Sequence, residues 1–335
     1  MQEVQGIVES KVILESEESP VLSSAASTPM VNIDGILVKL ECVNPTGSVK
    51  DRIVEYILTR SKQLGLLKPG QRIIEATSGN TGIAIAYYGR QLGHPVTIVM
   101  PENMTEERKK RIRSLGADLI LCHEGSFKEA AEIRDRMATN NDWFNPDQFS
   151  NPLNVECHER TTGKELIEQA AGKNIDAFVA GVGTGGTLIG VGRALQAAFP
   201  NVHIVAVEPT ESPVMAGGDP GIHQIYGIGD GFIPEIASDG KGGLNPLIDE
   251  VLAVSSEDAI DQAHELRKNY GLCVGISSGA NFAAARRLRE RFQTVATVFA
   301  DGYGKYVSHG LCGVDAGVCA FESFCNRREA ELGVR

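Results

Sequence analysis

The chain has 335 residues, 42% hydrophobic and 22% charged, with a formal net charge of −11. That length suits two hydrophobic cores, and the acidic balance excludes a surface built to neutralise nucleic-acid phosphates. Aromatic residues at 6% offer no base-stacking platform, and seven scattered cysteines do not form a disulfide framework, which fits a reducing cytoplasm.

The first twenty residues, MQEVQGIVESKVILESEESP, are acidic and lack a basic stretch followed by an apolar one. No apolar run anywhere reaches about 18 residues, so neither secretion nor membrane insertion is expected. From there, short β-rich runs alternate with longer stretches of helical period. A helix is predicted over 49–64, a strand over 72–76, a strand over 95–100, a helix over 105–115, a strand over 118–122 and a helix over 126–138 opened by Ser126 and Glu129 as a capping box. Further strands are predicted over 176–181, 203–208, 250–254 and 296–301, with a helix start at Ser255. The strands are nearly continuous apolar runs, as buried parallel strands are, so the fold class is α/β with parallel sheets flanked by helices.

The loop-rich stretch 140–154 is where the chain is expected to pass between domains. The basic runs KKRIR (109–113) and RRLRER (286–291) lie in helical patterns and are expected to be solvated faces. Cys312, Cys319 and Cys325 lack the close Cys pair of common zinc sites, so no metal is expected there.

Four Gly/Ser/Thr clusters fall at predicted strand ends or helix starts, where backbone N–H groups and the helix dipole favour anions. They are NPTGSVKDR (44–52), EATSGNTG (75–82), GVGTGGT (181–187) and GISSGA (275–280). The third nearly matches the dinucleotide fingerprint, but Glu208 is poorly placed to hold a ribose. A compact loop with several N–H groups and two threonine hydroxyls suits a single phosphate monoester better. Lys50 follows a Gly-Ser turn at a helix start, where a buried amine would have a lowered pKa and attack an aldehyde.

Together with QFSNP (148–152), VEP with SPV (207–214) and GIGDGFIP (227–234), these segments resemble the motifs of the cysteine synthase (O-acetylserine sulfhydrylase) family, in that family's order. The resemblance implies a fold type II pyridoxal-phosphate enzyme, related to tryptophan synthase β and cystathionine β-synthase, with two open twisted mostly parallel sheets. It implies a larger cofactor-binding domain (1–42 and 150–320), a smaller substrate-closing domain (43–149) and a tail (321–335).

Carried over by residue, Lys50 matches the lysine bonded to pyridoxal 5′-phosphate and Asn80 the residue at the pyridoxal 3′-oxygen. Gly183, Thr184, Gly185, Gly186 and Thr187 match the phosphate cradle. Ser277, with Ser278 beside it, matches the residue facing the pyridine nitrogen. Thr77, Ser78, Gly79, Thr81, Gln148 and Gly227 match the substrate-binding positions. A hydroxyl opposite the ring nitrogen makes a weaker electron sink than an aspartate partner would, which favours elimination over transamination.

The activity implied is β-replacement on O-acetylserine by sulfide, through an aminoacrylate, giving cysteine and acetate. The alternatives are an O-phosphoserine- or serine-using synthase with another nucleophile, giving cystathionine or a diaminopropionate-type product, and a non-catalytic paralogue acting as a binding partner. A homodimer and a serine acetyltransferase partner belong to the same implication. Two places depart from the family pattern: Asp230 replaces a small apolar residue, and Gly302 to Lys305 replaces a Ser-Gly-Glu-Arg stretch.

Overall fold

The computed structural model describes residues 27–77, 79–123 and 127–306. Ser126 of the expected capping box, Ser78 and the three C-terminal cysteines lie outside them. Two sheets organise the molecule. A six-stranded sheet has the order β1-β2-β9-β6-β7-β8, from β1 (Met30–Ile33), β2 (Ile36–Leu40), β6 (Ala177–Gly181), β7 (His203–Pro209), β8 (Glu250–Val254) and β9 (Val295–Phe299). A three-stranded sheet holds β3 (Ile73–Ala76), β4 (Val96–Pro101) and β5 (Asp118–Cys122) in order.

Every pairing is parallel except β1 with β2. That hairpin was not anticipated from the apolar runs. Its signal is Asp34-Gly35, both at positive φ (51° and 82°), the two-residue turn whose twist suits a hairpin. The predicted strands otherwise match to within two residues at each end.

The parallel strands have continuous apolar runs because helices cover both faces. Around the large sheet lie α5 (Pro152–His158), α6 (Lys164–Gln169), α7 (Gly186–Ala198), α8 (Ser256–Tyr270) and α9 (Ile276–Leu288). Around the small one lie α1 (Lys50–Gln63), α2 (Asn80–Gln91), α3 (Glu106–Ser114) and α4 (Phe127–Asn141). Ser255 caps α8 as expected, its Oγ accepting from Asp258 N at 3.0 Å.

Each sheet has its own buried apolar cluster. Ile53, Ile57, Ile73, Ile85 and Ile98 belong to the small-sheet cluster, and Val179, Val205, Ile276 and Phe282 to a large-sheet cluster. Among the described residues, no helix is long and apolar enough to cross a membrane.

The chain leaves β6 for β7 on one side, while β9 pairs with β6 on the other. Connections that diverge from neighbouring parallel strands leave a crevice beyond their carboxyl ends, the usual ligand position in open α/β sheets.

The two basic runs differ. Arg286, Arg287 and Arg291 are solvent-exposed as expected, but Lys109 is buried, its ammonium bonded to Glu102 O at 2.6 Å and Glu106 Oε1 at 2.8 Å. The apolar face of α3 packs Ile112 fully inside, and Lys109 lies close enough to that face to be covered.

Candidate active site

A cleft enclosing about 880 Å³ of atom-free space opens at the carboxyl ends of β6 and β9. Four helices begin beside it: α1 at Lys50, α2 at Asn80, α7 at Gly186 and α9 at Ile276. Their N-termini direct partial positive charge and free N–H groups into one space, which suits an anionic ligand.

Lys50 lines the cleft, and its position is set by the loop before it. The Asp51 carboxylate accepts from Thr46 N (2.7 Å), Thr46 Oγ1 (2.7 Å) and Ser48 N (3.2 Å), which fastens the NPTGSV turn. Val49 N donates to Ala300 O at 2.8 Å, pinning the start of α1 to the exit of β9. The Lys50 amine makes no hydrogen bond or ion pair with a described residue. Burial pushes its pKa below that of ordinary lysine, while the charges of Asp230 and Asp301 pull the other way.

Gly183, Thr184, Gly185 and Thr187 line the opposite side. A Cβ on Gly183 would meet Gly227 O at 2.2 Å, and Gly185 sits at φ 85°, so side chains are barred where the backbone must approach a ligand. Gly186 does not line the cleft; its missing side chain makes room for Asn154, whose Nδ2 donates to Thr184 Oγ1 at 3.0 Å and Gln148 O at 2.8 Å. Behind Thr187 lies the buried His158, with Nε2 3.2 Å from Thr187 Oγ1 and Nδ1 2.9 Å from Thr162 Oγ1.

On the small-sheet side, Thr77, Asn80, Thr81 and Gln148 line the cleft. Thr81 Oγ1 donates to Gln148 Oε1 at 2.7 Å, and Thr77 Oγ1 accepts from Gly79 N at 3.1 Å. Gly79 does not line the cleft; a Cβ there would meet Arg108 Cδ at 2.4 Å. Gln148 N donates to the buried Glu75 at 3.3 Å, and Arg134 pairs with Glu75 at 3.1 Å. Asn80 Nδ2 donates to Asp301 Oδ2 at 2.8 Å, and Asn80 Oδ1 is buried without a partner among the described residues. Ser277 and Gly227 line the cleft, whereas Ser278 does not, and its hydroxyl is buried without a partner among the described residues.

Motif reading missed several residues here. Arg108 lines the cleft while 2% exposed, its guanidinium 5.1 Å from the ring centres of both Tyr226 and Tyr306. His158 and Asn154 belong to no motif, and only the partner each finds in space gives it meaning. Glu208, weighed as a ribose ligand, instead accepts from Met215 N (2.7 Å) and Ala216 N (3.0 Å) and so fixes a loop.

Pyridoxal phosphate fits what is present. A desolvated amine without a partner among the described residues awaits an aldehyde, a glycine-cleared cradle beside a helix N-terminus awaits a phosphate, and Asn80 Oδ1 awaits a donor.

Comparison with known proteins gives the same reading. The family described as pyridoxal-phosphate dependent enzyme matches residues 14–301. A cysteine synthase from Staphylococcus aureus is 43% identical over 293 residues, covering 85% of this chain and 91% of that protein. A hydrogen sulfide-producing enzyme from Fusobacterium nucleatum superposes with a TM-score of 0.78 at 42% identity, covering 88% and 92% of the two chains. An O-acetylserine-dependent cystathionine β-synthase from Helicobacter pylori superposes with a TM-score of 0.80 at 34% identity, covering 87% and 96%.

Proposed function

Since the chain belongs to the pyridoxal-phosphate dependent enzyme family, we propose that it carries out β-replacement on an O-activated L-serine, with O-acetylserine and sulfide giving cysteine and acetate. The observation that supports this most is the meeting of four helix N-termini around one desolvated lysine that has no hydrogen-bond partner among the described residues.

In this reading Lys50 would hold the cofactor through its aldehyde. Gly183, Thr184, Gly185 and Thr187 would take the phosphate, with Gly186 admitting Asn154 behind them. Asn80 and Ser277 would contact the ring. The cofactor, when bound, supplies an electron sink that acidifies the substrate α-carbon.

The chain's own residues do the rest. The loop of Thr77, Gly79 and Thr81, with Gln148 beside it, receives the α-carboxylate and orients the Cα–H bond. Ser78, in the same loop, shares that proposed role. The Lys50 amine, made a neutral base at lower pH by burial, takes the α-proton as the β-oxygen leaves and later returns it. Gly227, without a side chain, leaves room above the reacting carbon.

The chain divides, we infer, into 43–149 closing on 1–42 with 150–320, ahead of a tail at 321–335; the separate sheets and clusters support it. A cytoplasmic location, a homodimer and a serine acetyltransferase partner complete the proposal.

The test is direct. Holoenzyme should show a visible cofactor band lost in Lys50→Ala, release acetate from O-acetylserine and form cysteine when sulfide is added. A band with no loss of the β-substituent, neither acetate from O-acetylserine, nor phosphate from O-phosphoserine, nor pyruvate from serine, would refute the reaction. A second reading, with a nucleophile other than sulfide, is favoured by Asp230, which no small anionic nucleophile requires.

A further inference from the structure

Beside the cleft lies a second cavity, open to solvent and enclosing about 1180 Å³ of atom-free space. Phe127, Phe149 and Asp230 line both spaces, so the two meet across these side chains. Phe149 and Phe232 pack with ring centres 5.5 Å apart, and Phe232 is 46% exposed, giving the outer space an aromatic wall that faces water.

Four charged side chains line this outer space, and two of them are engaged. Arg134 pairs with Glu75 and Asp135, and Asp147 accepts from Ser150 Oγ. The other two, Lys128 on α4 and Asp230 at the boundary with the cleft, make no hydrogen bond or ion pair among the described residues. Lys128 is exposed, whereas Asp230 is partly buried and borders the space that Lys50 faces. A carboxylate left without a donor in a desolvated boundary is costly unless a ligand supplies one.

Sulfide needs none of this: it is a single heavy atom, gains little from an aromatic wall, and as an anion is repelled by a carboxylate. A free cation and a free anion at separate points of one cavity match the two charges of a zwitterion. The aromatic wall of the same cavity matches a short aliphatic side chain.

We propose that the outer cavity is the subsite for the second substrate, and that this substrate is an amino acid carrying a nucleophilic side chain. Lys128 receives its carboxylate and Asp230 its ammonium or side-chain donor. Phe127, Phe149 and Phe232 cover its methylenes while the nucleophilic atom passes into the cleft. This rests on the first half of the β-replacement reading above and, for the other half, takes up its second reading, a nucleophile other than sulfide.

The experiment uses holoenzyme and separates the two halves. Acetate release from O-acetylserine alone reports the first. The second is followed with three thiol probes, sulfide, 2-mercaptoethanol and L-homocysteine, and by calorimetric titration of L-homoserine, which has the zwitterion but no thiol. The subsite is supported by heat from L-homoserine and by a KM for L-homocysteine well below that for 2-mercaptoethanol. It further requires that Lys128→Gln raise the homocysteine KM about tenfold, the size of one lost charged contact, while the sulfide KM stays within about twofold, and that Asp230→Asn raise the ratio of the homocysteine KM to the sulfide KM about tenfold. Acetate release with no homoserine heat, or variants that shift sulfide and homocysteine equally, overturns the subsite and leaves the first half standing. No acetate from O-acetylserine and no phosphate from O-phosphoserine overturns both.

Discussion

His158 Nε2 lies 3.2 Å from Thr187 Oγ1, while its Nδ1 lies 2.9 Å from Thr162 Oγ1. Burial pushes the imidazole well below its usual pKa, and nearby Lys50 pushes the same way, so the ring is neutral at pH 7 and has one donor and one acceptor. For the Thr187 hydroxyl to point its hydrogen at a phosphate, it must accept from His158 Nε2–H, and Thr162 must donate to Nδ1. His158→Leu, which cannot donate, should weaken cofactor binding about tenfold, measured by reconstituting the apoenzyme. His158→Gln keeps a donor near Nε2 and should recover most of the loss. Equal loss in both variants would show that the ring acts by packing alone.

Gly186→Ala should harm both halves of the site through one residue. Its Cβ would lie 1.9 Å from Asn154 Oδ1, and the same amide holds Thr184 Oγ1 and Gln148 O. Displacing Asn154 loosens the cradle and the carboxylate loop together. The overpacking cost is about 1–3 kcal/mol, read as a lower urea midpoint, accompanied by weaker cofactor binding. Normal stability with unchanged cofactor affinity would count against Asn154 as the link.

What the sequence made legible follows from how local each signal is. Lys50, Asn80, Thr184 and Ser277 stand in short runs whose glycines and hydroxyls mark a strand end or helix start wherever the rest of the chain lies. Arg108 was hidden because a charged residue in a charged helix reads as solvated, and its cover comes from Tyr226 and Tyr306, far along the chain. His158 was hidden for the same reason, since its meaning depends on Thr187 across a helix pair. Apolar alternation could not show the register that places the end of β9 under the start of α1, because that depends on Val49 meeting Ala300.

A buried ion cluster sets the base of α1. Arg52 Nε is 2.6 Å and Nη2 2.9 Å from the two Glu41 oxygens, and Nη1 is 2.7 Å from Glu165. Thr28 and Asn44 complete the Glu41 shell at 2.8 and 2.7 Å. Burial alone would raise the Glu41 pKa, but the Arg52 charge together with the hydrogen bonds from Arg52, Thr28 and Asn44 brings the net shift down. Glu41 therefore contributes stability above its unfolded pKa that is lost as pH falls through its folded one. Glu41→Gln leaves Arg52 partly uncompensated and should cost about 3–5 kcal/mol in denaturant unfolding. Because Arg52 is two residues from Lys50, cofactor absorbance should broaden or shift in the folded variant. An unchanged urea midpoint would mean that Glu165 alone satisfies Arg52.

The departed segment Gly302 to Lys305 provides a pH test. Lys305 Nζ donates to Gly47 O at 3.1 Å, beneath the turn that carries Lys50. Burial lowers its pKa to about 8, against partial relief from Asp301 and Asp51. The unfolded chain keeps this amine protonated up to the ordinary lysine range, about 10.4. Between those values the unfolded state binds more protons than the folded one, so this residue makes stability rise with pH from about 8 to about 10.4. Below about 8 both states are charged and the burial penalty is present in full. Lys305→Met keeps the length of the stem and removes the titration. The difference in unfolding free energy between variant and wild type should favour the variant most near neutral pH and shrink as pH climbs through that window. A difference that stays flat from pH 7 to 10 would place the Lys305 ammonium in water instead of against Gly47.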